Sequence, residues 1–137
     1  MDTSCLAKLY LLEEGSVRMR EAAVAAEQVT TSKIAYAETR AALARALRDR
    51  RLSDSQFAES RGKFDSEWPD LTSSDVSDSI LQQAGELVDR HPIRGLDAIH
   101  LASAKHTRAM NIAGVVFATA DRRLRDAAAA EGFALTD

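Results

Sequence analysis

The sequence is poor in the residues that form covalent cross-links and membrane anchors. It has one cysteine, Cys5, and two prolines among 137 residues. A single thiol excludes an internal disulfide, which is typical of a protein in a reducing compartment. The sequence also lacks an apolar run of about 18 residues and a basic-then-apolar leader. It therefore predicts a cytoplasmic protein that does not enter a membrane.

The composition predicts one globular domain, residues 1–137, without a strong overall charge. Hydrophobic residues make up 45% of the chain and charged residues 28%, which is ordinary for a soluble domain. The formal net charge of −3 provides no general attraction for nucleic acid. Arginine nevertheless accounts for fourteen of the eighteen basic residues. GC-rich codon usage and phosphate binding both explain this excess, and both interpretations stay open.

Hydrophobic periodicity predicts helices and strands that alternate along the chain. The predicted helices cover residues 6–12, 16–27, 33–50, 53–66, 75–90, 97–110 and 122–131. The predicted strands cover residues 29–31, 68–72, 115–119 and 133–135. The run 115–119 is continuously apolar, as in a buried parallel strand. The alternation predicts an α/β fold with a mainly parallel sheet.

Four carboxylates lie where such a sheet would bring them to one edge. Asp121 follows the strand 115–119, Glu38 lies in the helix after the strand 29–31, and Asp97 begins a helix. Asp2 precedes the first apolar segment. Sites in open α/β sheets form outside the carboxyl ends of the strands, and gathered acids repel unless a cation joins them. The set therefore indicates a divalent cation, although Asp97 alone is equally explained as a helix cap.

Four segments containing these acids share their order and spacing with a known family. They are Asp2-Thr3-Ser4, Ala35-Tyr36-Ala37-Glu38, Arg94-Gly95-Leu96-Asp97-Ala98-Ile99-His100-Leu101-Ala102, and Ala118-Thr119-Ala120-Asp121-Arg122-Arg123-Leu124. The chain resembles the PIN-domain ribonucleases, and among them the VapC-type toxins of bacterial toxin–antitoxin pairs. The resemblance implies a PIN-like three-layer fold with strand order 3-2-1-4-5. It also implies a Mg²⁺ or Mn²⁺ site, an antitoxin partner whose tail crosses that site, and a homodimer.

The resemblance places the family's catalytic acids on Asp2, Glu38, Asp97 and Asp121. We expect Asp2, Asp97 and Asp121 to bind the metal, and Glu38 to ligate it or to orient the attacking hydroxide. The hydroxyls of three neighbours would orient these acids, and two arginines would contact phosphate. These neighbours are Thr3, Ser4 and Thr119, and the arginines are Arg122 and Arg123. The expected reaction is hydrolysis of a phosphodiester bond in single-stranded or looped RNA.

The start of the chain departs from the family pattern. Family members have a short apolar strand ahead of the Asp-Thr-Ser segment, whereas this sequence begins Met1-Asp2. We expect either that the first strand is reduced to Met1 or that the true start lies upstream. Loss of a central strand leaves neighbouring backbone groups unpaired.

Two other functions are compatible with an acidic sheet edge. A catalytically impaired PIN-fold module would only bind an antitoxin. A receiver-like phosphoacceptor domain would need a lysine after the last strand, which residues 133–137 lack. Among the remaining residues, we expect His100 to be structural or a minor neighbour of the site. Cys5, Tyr10 and Trp68 are expected to pack in the core.

Overall fold

The computed structural model describes residues 1–110 and 114–136, which form seven α-helices and four short strands. The helices are α1 (Thr3–Leu6), α2 (Ser16–Ala25), α3 (Ile34–Arg48), α4 (Asp54–Glu67), α5 (Asp78–Arg90), α6 (Gly95–Ala109) and α7 (Arg122–Ala130). The strands are β1 (Thr30–Ser32), β2 (Thr72–Ser74), β3 (Val116–Phe117) and β4 (Ala134–Leu135). The alternation confirms the predicted α/β class.

The strands form two parallel pairs. Strand β1 pairs with β2, where Thr30 lies opposite Thr72, and β3 pairs with β4, where Val116 lies opposite Ala134. Parallel neighbours need a crossover connection, and helices provide it in both pairs.

Met1 and Asp2 join the two pairs. The amino group of Met1 donates a hydrogen bond of 2.9 Å to the Thr30 carbonyl, and the Thr31 hydroxyl donates to the Met1 carbonyl. On the other side, the Asp2 amide donates to the Ala118 carbonyl at 3.0 Å. The order is therefore β2-β1-(Met1-Asp2)-β3-β4. The resemblance implies the order 3-2-1-4-5, and Met1 and Asp2 lie where its first strand would be, although neither residue belongs to a strand.

Two predicted elements were wrong. The strand predicted at residues 68–72 is a 3₁₀ turn, Trp68–Asp70, and the strand follows at Thr72–Ser74. Pro69 favours a helical first turn because its ring fixes φ and it has no N–H to donate to a sheet. The helix predicted at 6–12 begins instead at Thr3, because Asp2 caps it, and ends in a 3₁₀ turn at Leu9. The ends of the other elements differ from prediction by at most three residues.

Two large apolar clusters form most of the core of the described residues. The first packs α1 and α3 against α4, with Leu6, Leu43 and Phe64 fully buried. Tyr10 and Trp68 contact Phe64 edge to face at centroid distances of 5.0 and 5.6 Å, so their predicted packing roles are confirmed. The second cluster packs α5, α6 and α7 around Phe117. In the described ranges, no helix combines the length and apolarity needed to cross a membrane.

Candidate functional site

Asp2 is buried, and three donors hydrogen-bond to its carboxylate. Its side chain caps α1 by accepting from the Cys5 amide at 3.1 Å. The Ser4 hydroxyl lies 2.8 and 2.9 Å from the two carboxylate oxygens, and the Thr119 hydroxyl donates to Oδ2 at 2.7 Å. Ser4 has only one hydroxyl hydrogen, so it donates to one carboxylate oxygen at a time. The carboxylate therefore accepts three hydrogen bonds in all and keeps one lone pair free for a cation.

Two hydroxyls tie Asp2 to the loop that carries Asp121. The Thr119 hydroxyl donates to Asp2 and accepts from the Asp121 amide at 3.0 Å. The Ser4 hydroxyl accepts from the Ala120 amide at 2.8 Å. Asp121 in turn caps α7 by accepting from the Leu124 amide. The predicted orienting role of Ser4 and Thr119 agrees with these contacts, which fix Asp2 relative to Asp121.

Glu38 forms a hydrogen-bonded group with Thr3 and His100. Its Oε2 accepts from the Thr3 hydroxyl at 2.7 Å and lies 2.8 Å from His100 Nε2. Burial acts to raise the pKa of the Glu38 carboxyl, but the hydrogen bonds from His100 and Thr3 outweigh it and lower the pKa below its ordinary value. Within the described residues, Oε1 accepts no hydrogen bond. Glu38 is therefore an ionised carboxylate with one oxygen fixed and the other open.

His100 lies between this group and a small polar cavity. The side chain is 3% exposed, and its Nδ1 has no hydrogen-bond partner among the described residues. Ser32 and Ser103 line the same cavity, and their hydroxyls are also buried without partners there. The cavity volume of about 10 Å³ matches a single water molecule. Sequence reasoning underrated His100, because its partner Glu38 is 62 residues away.

Asp97 and Asp121 share one cation, the guanidinium of Arg94. Arg94 Nε donates to Asp97 Oδ2 at 2.8 Å, and Nη2 lies 3.6 Å from Asp121 Oδ2. The hydrogen bonds to Asp97 raise the pKa of Arg94. Sequence reasoning included Arg94 in a motif but gave it no role. The spacing of Arg94, three positions before Asp97, could have indicated their ion pair from the sequence.

Contacts through Thr119 and Arg94 thus connect the four predicted acids, which together form the acidic rim. Thr119 couples Asp2 to Asp121, Arg94 couples Asp121 to Asp97, and the charge of Arg94 also acts on Glu38. Across residues 1–110 and 114–136, however, no three His, Cys, Asp or Glu side chains are close enough to hold a metal ion. The acids fit a divalent cation in donor chemistry, because all offer hard carboxylate oxygens and two already share a cation.

The other predicted site residues occupy different surroundings. Arg122 and Arg123 are exposed in the first turn of α7 and make no hydrogen bond with the described residues, so their phosphate contacts remain predictions. Cys5 is 2% exposed, and burial next to Asp2 raises the pKa of its thiol to about 11. The prediction that Cys5 is a core residue is confirmed.

An apolar groove adjoins the acidic rim. A cavity of about 570 Å³ lies between α5 and α6, with Glu38, Arg94 and Asp97 at its polar end. Leu81 and Leu96 line it and are 46% and 51% exposed. Glu38 and Asp97 are therefore accessible from a surface that has both polar and apolar parts.

Comparison with known proteins gives consistent matches over nearly the whole chain. A family model described as the PIN domain matches residues 1–130. Ribonuclease VapC45 of Mycobacterium tuberculosis (strain CDC 1551 / Oshkosh) is 36% identical over 131 residues, which cover 96% of this chain and 89% of the relative. Ribonuclease VapC49 of Mycobacterium tuberculosis (strain ATCC 25618 / H37Rv) matches with the same identity and coverage.

Proposed function

The chain belongs to the PIN-domain family, and we propose from this premise that it is a metal-dependent endoribonuclease, the toxin of a toxin–antitoxin pair. The relatives named as VapC ribonucleases support the ribonuclease activity, since they match almost end to end. The substrate is RNA, and the bond hydrolysed is a phosphodiester.

One observation in the structure carries this proposal. Two carboxylates from different helices, Asp97 and Asp121, point at the same cation, the guanidinium of Arg94. Carboxylates arranged around one positive charge are the ligands that Mg²⁺ and Mn²⁺ prefer. Asp2 is tied to Asp121 through Thr119, so it adds a third carboxylate to the same end of the sheet.

Each acid has a distinct role in the proposed reaction. Asp97 and Asp121 would hold the metal, and Asp2 would complete the set with the carboxylate lone pair that its three hydrogen bonds leave unused. When bound, the metal lowers the pKa of a water molecule and offsets charge on the scissile phosphate. Glu38 orients the attacking water through its open Oε1. Its lowered pKa makes it a weak base, so it orients the water and does not remove its proton.

The proposed partners follow from the family. An antitoxin covers the acidic rim, and the adjoining groove between α5 and α6 provides apolar surface for it. A homodimer and a cytoplasmic location are part of the same proposal. The alternative, a module that binds an antitoxin without cleaving RNA, is decided by the same experiment.

The test is cleavage of a pool of structured RNA with Mg²⁺, with Mn²⁺ and with EDTA. Wild type is compared with Asp97→Asn, which keeps the side-chain shape and removes one charge. The matched control is Asp54→Asn, because Asp54 is also in the first turn of a helix but is exposed and has no contact with the four acids. We expect EDTA to abolish cleavage and Asp97→Asn to reduce it on the order of a hundredfold.

The outcomes separate the two functions. Cleavage that Asp97→Asn loses and Asp54→Asn keeps supports the nuclease. Cleavage that survives Asp97→Asn would place the activity elsewhere. If the folded wild type cleaves no RNA with either metal, the binding module is the better description.

A further inference from the structure

Arg94 has an unusual place for a basic side chain in a proposed cation site. It holds the N-cap position of α6 with an extended backbone, and its side chain makes no capping bond there. The side chain is 77% exposed, yet its guanidinium points at Asp97 and Asp121. The guanidinium therefore lies between the two carboxylates and pairs with both.

We propose that Arg94 is a displaceable internal cation: it neutralises Asp97 and Asp121 in the metal-free protein, is released by the metal, and then contacts the RNA phosphate. This inference rests on the proposed function, because it assigns a second state to a residue of that site. Neither the family match nor the names of the relatives assign any role to Arg94.

The first step follows from competition for the same oxygens. Arg94 Nε and Nη2 lie 2.8 and 3.4 Å from the two Asp97 oxygens, in a two-pronged contact that covers the carboxylate. A divalent ion on those oxygens would stand within a few ångströms of the guanidinium and repel it. Arg94 and the metal therefore exclude each other from Asp97.

The second step is that release costs little. An ion pair with a partner 77% exposed lies largely in water, and such pairs contribute little to stability. Arg94 makes hydrogen bonds only to Asp97 among the described residues, and a water molecule satisfies a released guanidinium. The side chain is therefore free to swing outward without disturbing the core beneath α6.

The third step gives the released side chain a ligand. A guanidinium matches a phosphate group with two parallel hydrogen bonds, as it matches the Asp97 carboxylate in this structure. Because the backbone of Arg94 is held at the start of α6, the released side chain stays beside the acids. A phosphate held near the metal would then replace Asp97 as the partner of Arg94.

The test measures metal binding directly, without RNA. Calorimetric titration with Mn²⁺ compares wild type with Arg94→Ala and Arg94→Gln. The matched control is Arg90→Ala, since Arg90 is also an exposed arginine but pairs with Glu131, outside the acidic rim. We expect both Arg94 variants to bind Mn²⁺ about two- to fivefold more tightly than wild type, and the Arg90 variant to match wild type.

RNA cleavage by the Arg94 variants should change in the opposite direction to their metal affinity. At saturating Mn²⁺, we expect kcat/KM of the Arg94 variants to fall about three- to tenfold, because the phosphate contact is lost. If Arg94 only held Asp97 in place, its substitution would lower both the metal affinity and the rate of cleavage. Tighter metal binding combined with weaker cleavage is therefore specific to the proposed exchange.

The outcomes are distinguishable. If wild type binds Mn²⁺ and the Arg94 variants bind it equally or more weakly, the inference is wrong and the proposed nuclease stands. If neither wild type nor the folded variants bind Mn²⁺, the metal site itself fails, and the inference with it. If only the Arg94 variants bind, the exchange is supported in its strongest form.

Discussion

The Thr119 hydroxyl links the first two residues of the chain to the loop before α7, and its removal gives a sharp test of the site. Thr119→Val keeps the shape of the side chain and removes two hydrogen bonds, one to the Asp2 carboxylate at 2.7 Å and one from the Asp121 amide at 3.0 Å. A hydrogen bond to a charged group contributes about 1.5–3 kcal/mol, and an amide left unpaired adds about 1 kcal/mol. We therefore expect the free energy of unfolding to fall by about 3 kcal/mol.

The expected loss is large enough to measure by thermal unfolding. For a domain of this length, 3 kcal/mol corresponds to a decrease in Tm of about 10 °C. Thr107→Val is the control, because the Thr107 hydroxyl only donates to the Ser103 carbonyl within α6, and we expect a change within about 0.5 kcal/mol. In an Asp2→Asn background, Thr119→Val should cost at least about 1 kcal/mol less. A loss below about 0.5 kcal/mol in the wild-type background would refute the assigned link.

Two further predictions concern the packing that supports the site. Glu131 accepts from His91 and Lys105, and these bonds lower its pKa to about 2. The carboxylate therefore contributes stability above its ordinary pKa near 4.5, and this contribution is lost as the pH falls toward 2. In urea unfolding at several pH values, Glu131→Gln should be about 2 kcal/mol less stable than wild type at pH 7. The variant should also lose less free energy of unfolding than wild type between pH 4.5 and 2. Phe64 is fully buried, so Phe64→Ala should cost about 4 kcal/mol. Trp68, the only tryptophan, contacts Phe64 and reports that loss as a red-shifted emission; an unchanged urea midpoint would contradict the assigned packing.

The helices could be predicted from the sequence because their ends are specified locally. Ser53 and Gln56 form a capping box at the start of α4, and Gly132 adopts the left-handed φ of 79° that ends α7. The four acids were also found this way, since each lies at the end of an element or one to two turns from one. Local signals therefore pointed to these candidate residues, and their catalytic roles stay predictions.

Strands β1 and β2 carry weak sequence signals because they are short and polar. The residues of β1 and β2 are threonine and serine, which carry no apolar pattern. Their hydroxyls instead bond to neighbouring backbone: Thr31 donates to the Met1 carbonyl and Ser74 to the Thr31 carbonyl. Hydrophobic periodicity therefore misplaced β2, whereas the β-branched residues at 29–31 still marked β1.

The contacts that organise the site were also outside the reach of sequence reasoning. His100 meets Glu38 across 62 residues, and Thr119 meets Asp2 across 117. Arg94 has an acid three residues away, but its second partner, Asp121, comes from the next helix. A single sequence gives the chemical types of such residues, whereas their pairing is decided by the packing of the sheet.

The contact between Asp2 and residues 118–119 also dictates when the site can exist. During synthesis, the Ala118 carbonyl and the Thr119 hydroxyl that hold Asp2 are made more than a hundred residues after it. The helices around Phe64 need only the first half of the chain, so they have their partners early. Every nascent chain therefore carries Asp2 without its final partners until residues 118–121 have been made, and the acidic rim is assembled only after that point.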